Sequence, residues 1–401
     1  MRRLAALLVL GMLLLGAGTP SAPRTIVFGA AVSLTGSLAA EGRLTKEGYD
    51  FWAAYVNAHG GLRVAGVPYR VELRYADDES NAETAATRLV SLLENEHVDF
   101  LLGPYSSAPT FAAAAVAERY RVPLVDSSGA AERIFNQGYR YTFGVLSPAR
   151  KYLIGIIELA VRRTPRPQTV AISAAPDPFS LEVQQGAVQS ANDHGIHVVY
   201  AEHYDGSAAA IDASAAAIAA AAPDLVLNAG HLQDALQMHR ALKAHHVAAK
   251  AFGYSVGPDT PEFRRTLGGD AEAVVGSAQW SSAVTYRGEA GFYRSARDYD
   301  AAFRRAYGRA PDYHNAEATA ACLAFQYAIA RAGSTEREAV RDALARLDVV
   351  TFFGLLKFDA RGINVFKPMV VNQIQGGRLV TIYPYRLADG KPVYPAPAWH
   401  D

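Results

Sequence analysis

The run Thr25-Ile26-Val27-Phe28-Gly29-Ala30-Ala31-Val32, followed at once by Ser33-Leu34-Thr35-Gly36, decides the fold class. Its apolar residues do not alternate with polar ones. That is the pattern of a strand buried on both faces, which belongs to a parallel sheet covered by helices. A helical period follows over Lys46–Asn57, with Tyr49, Trp52, Ala53 and Val56 on one side. The alternation continues with strands at Tyr69–Ala76, Val98–Leu102 and Pro123–Asp126 and helices at Ala82–Glu94 and Pro109–Tyr120.

The cycle then restarts. Helix is expected at Lys151–Arg162, Leu181–His194, Ile211–Ala222 and Leu232–His245, and strand at Thr169–Ser173, His197–His203, Leu225–Asn228, Ala251–Tyr254 and Val274–Gln279. Three helical stretches follow, at Phe292–Tyr307, Ala316–Arg331 and Glu336–Leu347, before a strand-rich tail from Phe358 to Tyr385. Two complete sets of βα units predict an α/β chain of two doubly wound lobes, each around a parallel central sheet. No Pro/Gly/Ser linker separates the sets, so the boundaries are strands that cross over.

The 401 residues carry 39 basic and 39 acidic side chains, and this balance argues against a polyanionic partner such as nucleic acid. A hydrophobic share of 50% excludes wholesale disorder. The single cysteine, Cys322, excludes an internal disulfide and every multi-cysteine metal site. Arg2 and Arg3 precede a short apolar run, Leu4–Leu15, then small residues to Ala22, which reads as a secretory signal over residues 1–22. The mature chain is therefore expected outside the cytoplasm, periplasmic or extracellular.

Phosphate-cradling glycine motifs and H-E-x-x-H are absent from the sequence. His239, His245 and His246 share one expected helix and read as a solvated face. Gly253-Tyr254-Ser255-Val256-Gly257 matches the G-x-S-x-G nucleophile elbow, but Pro258 and Pro261 follow where a helix must start at once. A secreted serine hydrolase using Ser255 stays open as an alternative. The loops at strand carboxyl ends hold Tyr105-Ser106-Ser107, Ser127-Ser128-Gly129-Ala130 and His231. Small hydroxyls and free N–H groups there suit an anion such as a carboxylate. This is binding chemistry, with no cofactor expected.

In Ala30-Ala31-Val32-Ser33-Leu34-Thr35-Gly36, Asn57-x-x-Gly60-Gly61, Asp77-Asp78, Gly103-Pro104-Tyr105-Ser106-Ser107, Phe353-Gly354, Phe358-Asp359-x-x-Gly362 and Tyr394-Pro395-Ala396-Pro397, the chain resembles type I periplasmic substrate-binding proteins of ABC importers, in the Leu/Ile/Val-binding branch. The resemblance spans about residues 25–398. It implies two lobes joined by three crossovers, near Thr142–Ser147, Val275–Gln279 and Ile363–Pro368. The first lobe then comprises 23–146 and 277–364, and the second 147–276 with 365–401. It also implies capture of an amino acid or related small carboxylate by a monomer that serves a membrane permease; a ligand-binding sensor is the other reading.

Residue by residue, the resemblance assigns Ser107, helped by Ser106, to the ligand carboxylate, with the backbone of Ala130 beside it and Tyr105 among the ligand-binding residues. Ala131 stands where the family has a hydroxyl. Phe179 and His231 correspond to aromatic positions of the second lobe. Ser255 falls where the family's acidic residue meets the ligand ammonium, so Glu41, in the loop after the first strand, is the candidate to supply that charge. Ser128 joins the expected lining, and Trp280 and Tyr313, near the expected crossovers, either line the cleft or stiffen the hinge.

Overall fold

The computed structural model describes residues 24–399, so the expected signal lies outside the described residues. In chain order the first run is β1 (Arg24–Val32), α1 (Ala39–Ala58), β2 (Leu62–Val64), β3 (Val67–Asp77), α2 (Ala82–Glu94), β4 (Phe100–Leu102), α3 (Ser107–Tyr120), β5 (Leu124–Asp126) and β6 (Thr142–Gly144). The second is α4 (Ile154–Ala160), β7 (Thr169–Ala174), α5 (Pro178–Asp193), β8 (His197–Tyr200), α6 (Ala208–Ala221), β9 (Leu225–Ala229), α7 (Leu232–Ala244), β10 (Ala251–Tyr254), α8 (Pro261–Leu267) and β11 (Val275–Ala278). Then come α9 (Ala296–Tyr307), α10 (Tyr313–Ala332), α11 (Arg337–Ala345), the hairpin of β12 (Asp348–Thr351) and β13 (Gly354–Lys357), and finally β14 (Val370–Gln375) and β15 (Arg378–Tyr383).

The strands form two sheets, ordered β2-β3-β1-β4-β5-β6 and β15-β14-β11-β10-β9-β7-β8. The first is parallel apart from the β2–β3 pair, and the second is parallel apart from β14 and β15. The α/β, doubly wound expectation therefore holds. In each sheet the order reverses beside the strand that opens its run, at β1/β4 and at β7/β9. Chains that leave such a pair diverge to opposite faces and open a crevice at the carboxyl ends. Both crevices recur in the site below.

The chain passes between the sheets after β6, after β11 and before β14. The three passages are tied to one another. Ser147 N–H donates to Gln279 Oε1 at 3.1 Å, and Gln279 Nε2 donates back to Ser147 O at 3.2 Å. Ser147 Oγ donates to Lys367 O at 2.6 Å, and Lys367 Nζ donates to Gln279 O. Asn364 Nδ2 reaches Leu355 O at 2.7 Å. Ser147, Gln279 and Lys367 thus satisfy one another's buried polar groups.

Helix α1 starts at Ala39, seven residues ahead of the expected Lys46, so Glu41 lies in its first turn and not in a loop. Two glycines permit this. A Cβ on Gly42 would stand 2.0 Å from Ser33 O, and one on Gly48 2.3 Å from Asn315 O. Only glycine lets α1 press this closely onto the end of β1 and onto α10. The turn before α1 is fixed by the Asp77-Asp78 pair: Asp77 accepts from Leu34 N–H, Thr35 N–H and Thr35 Oγ, and Asp78 accepts from Ser33 Oγ.

Side-chain caps fix other helix starts. Asn81 caps α2, Asp177 caps α5 ahead of Pro178, Thr260 caps α8 ahead of Pro261, and Asp312 caps α10. Helix α9 begins at Ala296 rather than at the expected Phe292, because Ser295 caps it. Phe292 instead packs its ring against Tyr55 and Phe51. His239 is 1% exposed and not on a solvated face. Its Nδ1 lies 2.7 Å from Tyr254 OH and its Nε2 2.8 Å from Asp270 O, and burial draws the imidazole down to about 4. Among the described residues no helix is long and apolar enough to cross a membrane.

Candidate ligand-binding cleft

The cleft is built from the carboxyl ends of the strands at the two switch points. From the first lobe come Glu41 after β1, Tyr105 and Ser106 after β4, and Ser127-Ser128 after β5. From the second come Asp177 and Phe179 after β7 and His231 after β9. The walls touch. Tyr105 OH lies 3.1 Å from His231 Nδ1, and Ser106 Oγ lies 3.4 Å from His231 Nε2. Glu41 Oε1 accepts from Leu232 N–H at 3.0 Å. Phe179 tilts over the His231 ring at 5.4 Å and meets Tyr152 edge-on at 4.9 Å.

Helix α10 closes the first-lobe side. Asparagine and threonine anchor it to α1: Asn315 Nδ2 donates to Leu44 O at 2.7 Å, and Thr319 Oγ donates to Gly48 O at 2.9 Å. Its first turn thereby carries Tyr313, His314 and Glu317 into the cleft. Tyr313 stacks on His314 at 4.1 Å, and Tyr105 leans on His314 at 5.4 Å. Glu317 Oε1 accepts from Ser128 Oγ at 3.1 Å. Among Tyr105, Ser128, Phe179, His231, Tyr313 and Glu317 a space of about 10 Å³ remains, about the size of one water. This is a closed arrangement, and a solute enters only when the walls part.

Two imidazole–carboxylate pairs dominate the electrostatics. His231 Nε2 stands 3.6 Å from Asp177, and His314 Nδ1 stands 3.5 Å from Asp312. Burial opposes charge on both imidazoles, but the aspartates outweigh it and push each up to about 9. Burial likewise resists ionisation of Asp177, yet His231 holds it down at about 2. Glu41 and Glu317 differ. Burial dominates both, raising Glu41 above the usual carboxylate range and Glu317 to about 8. One oxygen of each, Oε2, is buried without a hydrogen-bond partner, as are both ring nitrogens of His314.

The floor of the first lobe is held by Asp126, which accepts from Thr110 Oγ, Ser128 N–H and Gly129 N–H. Burial raises it to about 7 despite those donors. Here the structure brings together Ser107, Ala130 and Ala131. The N–H groups of Ala130 and Ala131 both donate to Ser107 Oγ at 3.1 Å, so the anion grip expected from the sequence is closed on itself. Ser106, not Ser107, occupies the helix-cap position, at φ +74°, a strained value for a residue with a Cβ.

Two expected residues have other work. Ser255 Oγ donates to Gly230 O at 2.9 Å and accepts from Gly230 N–H at 3.0 Å, and α8 begins only at Pro261. Its hydroxyl is spent on the turn before His231, and the strand–serine–helix geometry of a nucleophile elbow is missing. Trp280 is 2% exposed; its indole donates to Phe352 O at 3.2 Å and packs on Tyr299 and Phe352, inside the first-lobe core. Tyr313 does line the cleft, as do Tyr105, Ser128, Phe179 and His231.

Sequence reasoning missed Tyr152, Asp177, His314 and Glu317. The available signal was Asp312-Tyr313-His314-Asn315-Ala316-Glu317, a charged turn that opens a helix otherwise apolar through Phe325. His314 and Glu317 are three apart and share a face. Among the described residues no cluster of three His, Cys, Asp or Glu side chains is placed to hold a metal.

Known proteins repeat this architecture over nearly the whole chain. The Leu/Ile/Val-binding protein homolog 7 of Brucella abortus is 24% identical over 396 residues, covering 94% of this chain and 96% of that one. The branched-chain amino acid substrate-binding protein LivJ of Streptococcus pneumoniae, solved with isoleucine, superposes with a TM-score of 0.77 at 21% identity, covering 93% of this chain and 100% of that one. A solute-binding protein of an ABC transporter from R. palustris, solved with benzoate, gives a TM-score of 0.75 at 17% identity and covers 94% and 98%. The sequence model of the periplasmic binding protein family matches residues 25–378. With two switch-point crevices facing across one cleft and a family match of that extent, the chain belongs to the periplasmic binding protein family.

Proposed function

We propose that the protein captures an amino acid or related small carboxylate between its lobes outside the cytoplasm and hands it, as a monomer, to the membrane permease of an ABC importer. The observation that carries this reading is the direct contact of the two walls through Tyr105, Ser106 and His231 and through Glu41 and Leu232. Such contacts form only when the lobes are closed, and they break when the cleft opens to admit a solute. The rigid bodies of that motion are 24–146 with 277–364 and 147–276 with 365–399, hinged at Ser147, Gln279 and Lys367. Hinge closure around a ligand is a general mode of periplasmic binding proteins. The solved relatives with isoleucine and with benzoate support both solute types named here.

The test is small-angle scattering together with a thermal-shift screen of small amino acids and aromatic acids. A compound that raises the melting temperature by mass action should also reduce the radius of gyration. Compounds that raise the melting temperature while the radius stays unchanged would contradict capture by closure.

A further inference from the structure

Glu317 and Glu41 are cleft carboxyls that form no direct ion pair among the described residues, and each keeps one buried oxygen without a hydrogen-bond partner. Glu317 faces His314 and Asp312 from its own helix, Asp126 and Ser128 from the floor, and Lys367 from the hinge. Glu41 faces His231 and His314. Each imidazole already stands against an aspartate, at 3.6 Å and 3.5 Å. The Lys367 ammonium is committed to Gln279 O and lies 4.2 Å over the Phe353 ring. What remains is one buried, unpartnered oxygen on each glutamate, and Glu317 borders the cleft with the rings of Tyr105, Tyr152, Phe179 and Tyr313. A carboxyl among aromatic faces is the setting that recognises an organic cation. The groups expected to hold a ligand carboxylate are meanwhile engaged with Ser107.

We propose that Glu317, with Glu41 on the same lobe, is the seat of a cationic nitrogen, so that the solute is an amine-bearing molecule and not a simple carboxylate. This rests on the solute-capture reading above and narrows its ligand class. An unpaired buried carboxyl stays protonated, and an incoming ammonium restores its charge. Binding therefore expels a proton from Glu317 to solvent, and the hydrogen bond from Ser128 Oγ holds the carboxylate in place. The first lobe takes the cation, and the second lobe closes His231 and Phe179 over it.

The experiment titrates the protein with the common amino acids, their decarboxylated amines and their des-amino acids, by thermal shift and then calorimetry. Compounds that bind should carry an amine, and the des-amino partner of each should bind at least tenfold more weakly. Heats at pH 7 should depend on the ionisation enthalpy of the buffer, reporting proton release. Glu317→Gln should weaken the amine at least tenfold with an unchanged circular dichroism spectrum, and Glu317→Asp should restore part of the loss. Tight binding of des-amino acids alone, or equal affinity in Glu317→Gln, overturns the cation seat while leaving solute capture intact. Silence from all three compound classes overturns both.

Discussion

The two walls of the cleft handle buried charge in opposite ways. The second-lobe wall is finished: the His231 imidazole and Asp177 neutralise each other, Asp234 accepts from the His231 backbone N–H at 3.0 Å, and Asp177 also caps α5. The first-lobe wall has a pair of its own, His314 with Asp312, yet stays unfinished beside it: Glu41 and Glu317 are buried with an oxygen apiece unpartnered. A buried pair offsets the desolvation of its two charges and is costly to break, whereas an unpartnered carboxyl weakens the fold until something arrives to pair with it. The difference teaches an order of events. On the cation-seat proposal, the first lobe takes the solute in the open form and the second serves as a preformed cover.

The largest expected effect comes from unmaking the finished wall. Asp177→Asn keeps a helix-capping side chain but removes the charge opposite His231. Breaking a buried pair strands the other charge, so stability should fall by about 3 kcal/mol. The pH window follows from both shifts. Asp177 is depressed from 3.8 to about 2, so its contribution is lost as pH falls through about 2; His231 is raised from 6.5 to about 9, so its contribution is lost as pH rises through about 9. Urea denaturation should show the deficit greatest between these limits, near pH 5. A deficit that is flat from pH 3 to pH 10 would show that the pair is not the cause.

The floor of the unfinished wall comes next. Ser107→Ala removes the acceptor that the Ala130 and Ala131 N–H groups share, leaving both buried. Orphaned buried donors cost about 1–3 kcal/mol each, so stability should drop by at least about 2 kcal/mol. From the sequence, Ser107 is a ligand donor whose loss weakens binding more than stability. The structure reverses that expectation for the closed form, and paired denaturation and calorimetry of the variant decide it.

How much of this was legible varies with where a residue sits in the chain. The sheets were, because continuous apolar runs such as Thr25–Val32 act locally, whereas the Asp177-Pro178 start of α5, three residues ahead of the expected Leu181, was not read. The residues at strand ends followed from those runs. The start of α1 was not legible, since Gly42 and Gly48 lower helix propensity and their purpose, contact with Ser33 O and Asn315 O, is tertiary. His314 and Glu317 were hidden for a related reason. They reach the cleft from the first turn of α10, which the α1–α10 contact places beside loops far earlier in the sequence.

A smaller effect, but one with a distinctive sign, is expected of Glu317. Its pKa is raised from an ordinary 4.5 to about 8, chiefly by burial. Between those values the unfolded chain has released a proton that the folded chain still binds, so raising the pH through this window weakens the fold. Glu317→Gln carries no such penalty. The ligand-free variant should match the wild type near pH 4.5 and exceed it by about 1–2 kcal/mol near pH 8, the lower part of the range for an unmatched buried polar group. Wild type and variant curves that run parallel from pH 4.5 to pH 8 would show that Glu317 is paired in solution, and the asymmetry between the walls would disappear.

The smallest effect belongs to Glu41, and its smallness is informative. Glu41 Oε1 accepts from Leu232 N–H at 3.0 Å across the cleft, so this carboxyl belongs in part to the closing contact. Glu41→Gln preserves an amide oxygen for that bond and relieves the burial penalty that raises the carboxyl. The gain and the weaker acceptor nearly cancel, and stability should change by less than about 1 kcal/mol. Binding separates the two roles. If Glu41 shares the cation with Glu317, Glu41→Gln weakens an amine several-fold and leaves a des-amino analogue unchanged. If it serves closure alone, Glu41→Gln is silent toward both, whereas Glu41→Ala weakens both by the same factor because the Leu232 N–H loses its acceptor when the lobes meet. Calorimetry of the two variants against one amine and its des-amino partner therefore shows whether the unfinished wall holds its cation with two carboxyls or with Glu317 alone.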